Sequence, residues 1–432
     1  MKIAIIGGGI SGIVIARMLQ EKGHECHLYE KQNKLGGLCA SKSIDGYLYD
    51  LGGGHRLHPK NKKAVKYLLD LLGTSNWNKN TRNSRIYYKG HYVKYPFEHG
   101  LNDLPQKDNF ECLLGFINAH YEQKYLHKTH PQNFYDWILH RFGKGISNKF
   151  LIPYNQKTWN YNLKHLGIGC VKPTIPLPPI ESVIKSSIGM IADEEESKVT
   201  FYYPKKGGMQ SIVDALAADL ENIHLSEAVL SLDKTSTGWT INGDRKFDDV
   251  VFTVPIQEVP YIIKNTPPFV TATLNSLWYN GLVTVFLGLN KPFDHDYTWL
   301  YLPHKENGPV NCVSFLSNYS KGNVPEGCSS LVAEITYKAK TLPDNRESVT
   351  AEVIESLDSL GIIDKNDVVV SDASFFQYAY PVYGLKYSEF IQIINNYLNE
   401  MKLKRFGRFA THSYYDIDDI VEKAFEFVDK WY

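Results

Sequence analysis

Residues 50–58 read DLGGGHRLH: three side chains are given up in a row, and two large polar ones follow. Gly52, Gly53 and Gly54 lack a Cβ, so another group can come close to the backbone there. His55 stands at the end of that opening, and an imidazole can hold or pass a proton near neutral pH. A second opening lies at the N-terminus, where GGGISG sets Gly7, Gly9 and Gly12 in the G-x-G-x-x-G spacing. That spacing admits a pyrophosphate to the N-terminus of a helix. A third glycine pair, Gly36 and Gly37, follows in KLGGLC. Other chemistry is poorly provided for. No nucleophile–base triad or carboxylate pair stands out, and the six cysteines are scattered with neither a CxxC pair nor metal-ligand spacing. No metal is expected.

The elements that must position these openings can be read around them. KIAII (2–6) has the character of a short buried strand, IVIARMLQEKG carries apolar residues at helical spacing, and ECHLYE (25–30) forms a second strand ending on Glu30. In such a βαβ unit Gly7 makes the turn, Gly9 lets a pyrophosphate approach, and Gly12 lets helix and strand pack closely. Glu30 is placed to accept hydrogen bonds from a ribose diol. A nicotinamide dinucleotide has no need of the second and third glycine clusters, so FAD is the expected cofactor. DDVVFTVP (248–255) reads as a returning strand of the same sheet, and Val229 in EAVLSLD falls where the adenine is often met.

The segments GGGISG…YEK…LGGLC, DLGGGHRLH, KYPFEHGLNDLP, NFYDWILHRFGKGISNKFLIPYNQKTW, FYYPKKGGMQSI, WLYLP…SFLSNYS, AYPVYG and GRFATHSYYDIDDIVEKA span nearly the whole chain. Together they resemble the flavin-dependent UDP-galactopyranose mutases, within the wider amine-oxidase and protoporphyrinogen-oxidase-like FAD superfamily. The resemblance implies an α/β fold: a doubly wound, Rossmann-type FAD-binding domain with an inserted helical domain and an antiparallel β-sheet domain. It implies a nucleotide-sugar mutase that interconverts pyranose and furanose rings, with N5 of reduced flavin attacking the anomeric carbon and no net redox. The alternative is an FAD oxidoreductase, of amine- or protoporphyrinogen-oxidase type, acting on a non-nucleotide substrate.

The resemblance also assigns residues. Gly53, Gly54 and His55 would lie along the isoalloxazine, with His55 near N5 as the catalytic residue. Gly7, Gly9, Ser11, Gly12, Glu30, Lys31, Gly36, Gly37, Leu38 and Val229 would hold the rest of the dinucleotide. Arg408 would offer its guanidinium fork to the pyrophosphate, and Asp416, Ile417 and Asp418 would close over the flavin.

On the substrate side, Tyr95 and Phe97 are two apart, so an extended segment would point both the same way to sandwich a uracil. Glu98 falls where a glutamine usually reads the base edge. Asn133 and Trp137, four apart on one helix face, match nucleotide-holding positions. Tyr301, Tyr380 and Tyr414 match tyrosines around the diphosphate, and Lys198 lies in a loop that closes over substrate. One departure stands out. Ile152, and Cys312 or Asn311, occupy the places of the two arginines that clamp the diphosphate in the mutases. Lys198, Lys205, Lys206 and Arg56 are the available replacements.

The expected organisation is an FAD domain from 1–75, 205–255 and 375–432, a helical domain over 100–190, and a sheet domain from 76–99, 191–204 and 256–374. Lys plus Arg and Asp plus Glu are both 47 in 432 residues, so bulk charge courts neither nucleic acid nor an acidic membrane. No stretch approaches the ~20 apolar residues of a spanning helix. Free cysteines suit a reducing compartment. These features lead us to expect a cytoplasmic enzyme acting on a small molecule.

Overall fold

The computed structural model describes residues 1–125, 131–169, 178–190 and 199–431. The strand Lys2–Ile6 lies at the centre of a five-stranded, wholly parallel sheet. Its side chains alternate between the two faces, and both faces are covered. Ile3 and Ile5 join a core with the helices Ile10–Glu21, Lys62–Leu72, Gln210–Ala217 and Ile417–Asp429. Ala4 and Ile6 join another with the helices Pro268–Asn275 and Tyr387–Glu400 and a small three-stranded sheet. Burial on both sides is why this strand is a continuous apolar run rather than an alternation.

Across the sheet the order is Lys404–Arg405, Asp249–Phe252, Lys2–Ile6, Glu25–Tyr29, Asn222–His224. Because the strands are parallel, the turns leaving their C-terminal ends gather at one edge, the usual ligand side of such sheets. Gly7–Gly9, Glu30 and Thr253–Pro255 all stand on that edge.

A seven-stranded sheet faces it, in the order Val368–Val382, Trp278–Leu289, Ser329–Lys338, Cys312–Ser314, Trp299–Tyr301, Ser84–Tyr88, His91–Lys94. Ser84–Tyr88 and His91–Lys94 form a hairpin around Lys89-Gly90. Both turn residues have positive φ, 49° and 83°, as a two-residue type I′ turn requires.

Two expectations about this sheet need correction. It is not wholly antiparallel: Trp299–Tyr301 runs parallel to Ser84–Tyr88, since no short turn joins them and none enforces the antiparallel sense. Thr200–Pro204 does not join it either. That strand pairs with Trp77–Thr81, anchored by Phe201 and Tyr203, which are fully buried in the core beside the parallel sheet. The strand Val368–Val382 also runs straight through the 374/375 boundary drawn from the sequence.

The helical region packs Gln106–Tyr125 against Phe134–Ile146. Backbones meet closely there: a Cβ on Gly143, whose φ is +68°, would fall 2.0 Å from the Gly115 carbonyl oxygen. Past Gly143 the chain continues through a wide turn at Ser147–Leu151 into the helix Ile152–Trp159, which borders the seven-stranded sheet. No described helix is long and apolar enough to cross a membrane.

Candidate active site

One cavity of about 1210 Å³ opens where the parallel sheet's C-terminal edge, the seven-stranded sheet and the helical region meet. It is larger than the ~300–1,000 Å³ usual for a single small ligand. At its glycine end nothing lies within 4 Å of where a Gly9 Cβ would stand, and the nearest neighbour of a Gly37 Cβ is Gly9 Cα at 3.5 Å. The helix Ile10–Glu21 begins at Gly9 with no side-chain cap, so its first N–H groups remain free for a phosphate. Glu30 lines the cavity; its carboxylate accepts the N–H of Gly8 at 2.7 Å and of Gln32 at 2.8 Å, with lone pairs to spare for a diol. Arg408 is oriented by Nε donating to the Tyr415 carbonyl at 2.9 Å and lies 4.6 Å from the Tyr414 ring centre. Asp416 caps the helix Ile417–Asp429 and pairs with Lys60 at 2.6 Å. An open glycine cradle, an uncapped helix start and a strand-end acid fit a flavin dinucleotide.

The triple glycine has a different explanation from the one expected. A Cβ on Gly54 would stand 1.9 Å from Ser314 Oγ, one on Gly53 2.4 Å from Glu334 Oε1, and one on Gly52 2.3 Å from the Leu38 carbonyl. What comes close to this backbone is the protein itself, largely its seven-stranded sheet. Gly53, with φ +100°, is turned toward Glu334 and is not part of the cavity wall, which corrects its assignment beside the cofactor ring. Gly52, Gly54 and His55 do line the wall. Glu334 ties the loop down by accepting the Gly54 N–H at 3.2 Å. Burial, and then the positive charge of Arg408, lower the His55 pKa to about 4. The ring is therefore neutral at pH 7, with one nitrogen donating and one accepting, and its Nδ1 is buried without a partner.

Of the other residues picked out in the sequence, Gly7, Ser11, Gly36, Leu38 and Ile417 also line the cavity, as do Tyr95, Glu98, Tyr301, Tyr380 and Tyr414. Several do not. Gly12 is a packing residue, its Cβ position 1.9 Å from the Gly7 carbonyl oxygen. Lys31 is exposed on the surface, and so are Lys205 and Lys206. Val229 is buried in the core beside Tyr29, and Asp418 is buried behind the helix start. Phe97 fails because the chain turns tightly at Phe97–His99, so the alternation of an extended strand does not apply; Phe97 stacks on Phe150 at 5.3 Å in the core. Asn133 is not on the helix face at all but caps its start, bonded to Asp136. Trp137 packs between Phe134 and Phe142 in the helical core. Lys198 lies outside the described residues.

Ile152 is buried in that same core, whereas Asn311 and Cys312 stand on the cavity wall without charge. Cavity residues that the sequence reading did not single out include Arg82, Tyr154 and Glu334. Arg82 precedes an ordinary strand and Glu334 interrupts an apolar one, and only the fold brings them to the site. Burial raises Glu334 to about 7 and Glu98 likewise to about 7.

The chain belongs to the flavin containing amine oxidoreductase family, whose model matches residues 10–409. Within that broad class its architecture is similar to a crystal structure of reduced UDP-galactopyranose mutase, with a TM-score of 0.86 and 25% identity over 99% of this chain and 94% of that one. An oxidoreductase from Methanosarcina mazei shares the fold at a TM-score of 0.66 and 15% identity, over 100% of both chains. The UDP-galactopyranose mutase of Mycoplasma pneumoniae is 25% identical over 166 residues, 38% of this chain and 41% of that protein. The chain spans half or less of the length of the first curated relatives it matches.

Proposed function

We propose that this chain is an FAD-dependent mutase of nucleotide sugars, interconverting the pyranose and furanose rings of a UDP-galactose-type substrate. The observation that carries the reading is the continuity of the cavity. From the glycine cradle it runs unbroken into a half walled by Tyr95, Tyr154, Tyr301, Tyr380 and Tyr414, with room for a second ligand beside the dinucleotide. Phenols suit a sugar diphosphate, since each pairs an apolar ring with a hydroxyl that can donate to a phosphate oxygen. The similarity to the reduced mutase structure over almost the whole chain supports the same reading.

FAD, when bound and reduced, supplies the electron-rich centre that the ring exchange needs. The chain's own residues hold and orient. Gly9 and the helix start take the pyrophosphate, Glu30 the ribose hydroxyls, and neutral His55 presents one donor and one acceptor beside the glycine loop. The tyrosines fix the sugar diphosphate and exclude water. Glu98 and Glu334, both near neutrality in their titration, can each hold or release a proton at a carboxyl oxygen.

One observation favours a second reading, an oxidase of a substrate without a diphosphate: the uncharged residues at positions 152 and 312. The test is to reduce the purified protein with dithionite under nitrogen, add UDP-galactopyranose or its furanose isomer, and separate the products chromatographically. Conversion with the flavin still reduced at the end is expected. No conversion, together with bleaching of the oxidised flavin by an amine, would establish the oxidase instead.

A further inference from the structure

Two arginines on the cavity wall are paired with no carboxylate among the described residues. Among the described residues no carboxylate lies within 4.0 Å of the guanidinium of Arg56 or Arg82. Arg82 is held by neutral groups. Its Nε donates to Ser84 Oγ at 2.9 Å, its Nη2 donates to the Tyr301 hydroxyl at 3.1 Å, and it lies 4.2 Å from the centre of the Tyr95 ring. Arg56 lies 4.6 Å from the centre of the Trp299 ring, donates from Nε to His58 Nε2 at 3.2 Å, and leaves Nη1 buried with no partner. Both charges act on Tyr301 and on His58, so they share one region of the cavity. The acids in reach are occupied. Glu334 is held toward its neutral form by burial while it accepts the Gly54 N–H, and Asp416 is paired with Lys60.

Two half-buried like charges with no carboxylate paired to them are unfavourable, and they persist only where packing holds them. Aromatic stacking holds these two as pre-formed forks with N–H groups left over, the geometry that phosphate oxygens bind best. We propose that Arg82 and Arg56 form a two-guanidinium subsite for the phosphates of the substrate. The grip would come from the sheet and the Gly–His loop, in place of the cations absent at Ile152 and Cys312. This deepens the nucleotide-sugar reading and rests on it for the identity of the rest of the ligand.

The FAD-loaded, oxidised protein can be titrated calorimetrically with UDP, inorganic pyrophosphate and uridine, alongside Arg82→Met and Arg56→Met, which keep an unbranched apolar stem and remove the guanidinium. Each variant should bind UDP and pyrophosphate about 10- to 100-fold more weakly, the cost of charge-assisted bonds, with uridine binding unchanged. Flavin content and circular dichroism report folding. Should a Met variant misfold, Arg82→Lys, which keeps the charge and loses the fork, should still weaken UDP about 10-fold. UDP binding within twofold of wild type in both Met variants would overturn the subsite, as would a wild type that binds neither UDP nor pyrophosphate. Pyrophosphate binding that depends on both arginines, in a protein that neither binds UDP nor converts its sugar, would leave the subsite standing and remove the nucleotide-sugar reading alone.

Discussion

Glu334 offers the sharpest test of how the sheet supports the glycine–histidine loop. Replacing it with glutamine keeps the shape and an amide oxygen to accept the Gly54 N–H, and puts an NH₂ toward the Tyr380 hydroxyl, now 3.4 Å from the carboxylate. What the substitution removes is the charge. Burial lifts the carboxyl from the ordinary 4.5 to about 7. Below pH 4.5 the group is protonated in both folded and unfolded chains and costs nothing. Between 4.5 and 7 the unfolded chain gives up a proton that the fold retains, so stability falls as pH rises. Above 7 both states are ionised and the full cost of the buried charge stands.

At about 1.4 kcal/mol per pH unit, that gap makes the cost about 3 kcal/mol. Glu334→Gln should therefore match wild type near pH 4 and exceed its stability by about 3 kcal/mol at pH 8. Denaturant unfolding of the flavin-free proteins between pH 4 and 8 reads the difference. A constant difference across that range, or greater wild-type stability at pH 8, would refute the account of Glu334 as a carboxyl held neutral by burial.

Other expected outcomes follow from the same geometry. Gly9→Ala meets nothing within 4 Å in the protein, so it should leave the melting temperature of the flavin-free chain almost unchanged while weakening FAD binding at least about 10-fold in a fluorescence titration. Gly54→Ala collides with Ser314, so it should destabilise the chain by about 1–3 kcal/mol or more, with or without flavin. Trp137→Ala should cost about 3–5 kcal/mol of stability and leave KM for a nucleotide sugar unchanged; a raised KM at unaltered stability would return Trp137 to the nucleotide. His55, with its pKa lowered from 6.5 to about 4, must stay uncharged in the fold while the unfolded chain gains a proton below pH 6.5. His55→Gln should accordingly gain stability over wild type as pH falls from 6.5 to 4, reaching about 3 kcal/mol, and match it at pH 8.

The parts of the site legible in the sequence are those built by local rules. Gly7, Gly9 and Glu30 belong to one βαβ unit, so their spacing along the chain is their spacing in the site. The Lys89-Gly90 turn obeys a rule of the same local kind, since two-residue hairpins demand particular residues. Phe97 and Trp137 show where such reasoning stops. Apolar side chains at a plausible period fit a core and a pocket equally well, and whether Phe97 follows Tyr95 into the cavity depends on a turn that nothing at that position announces. Gly53 was misassigned for a related reason. A glycine signals close approach, and the sequence does not say of what.

By itself, then, the sequence determined the dinucleotide-binding class, the layered α/β architecture and the family, because these rest on short-range patterns and on motifs contiguous in the chain. Only the tertiary structure decided which groups share the cavity. Arg56, Arg82, Glu334 and the five tyrosines come from segments scattered between positions 56 and 414 of the chain. Their charge states and partners depend on burial and on neighbours that only the folded chain brings together.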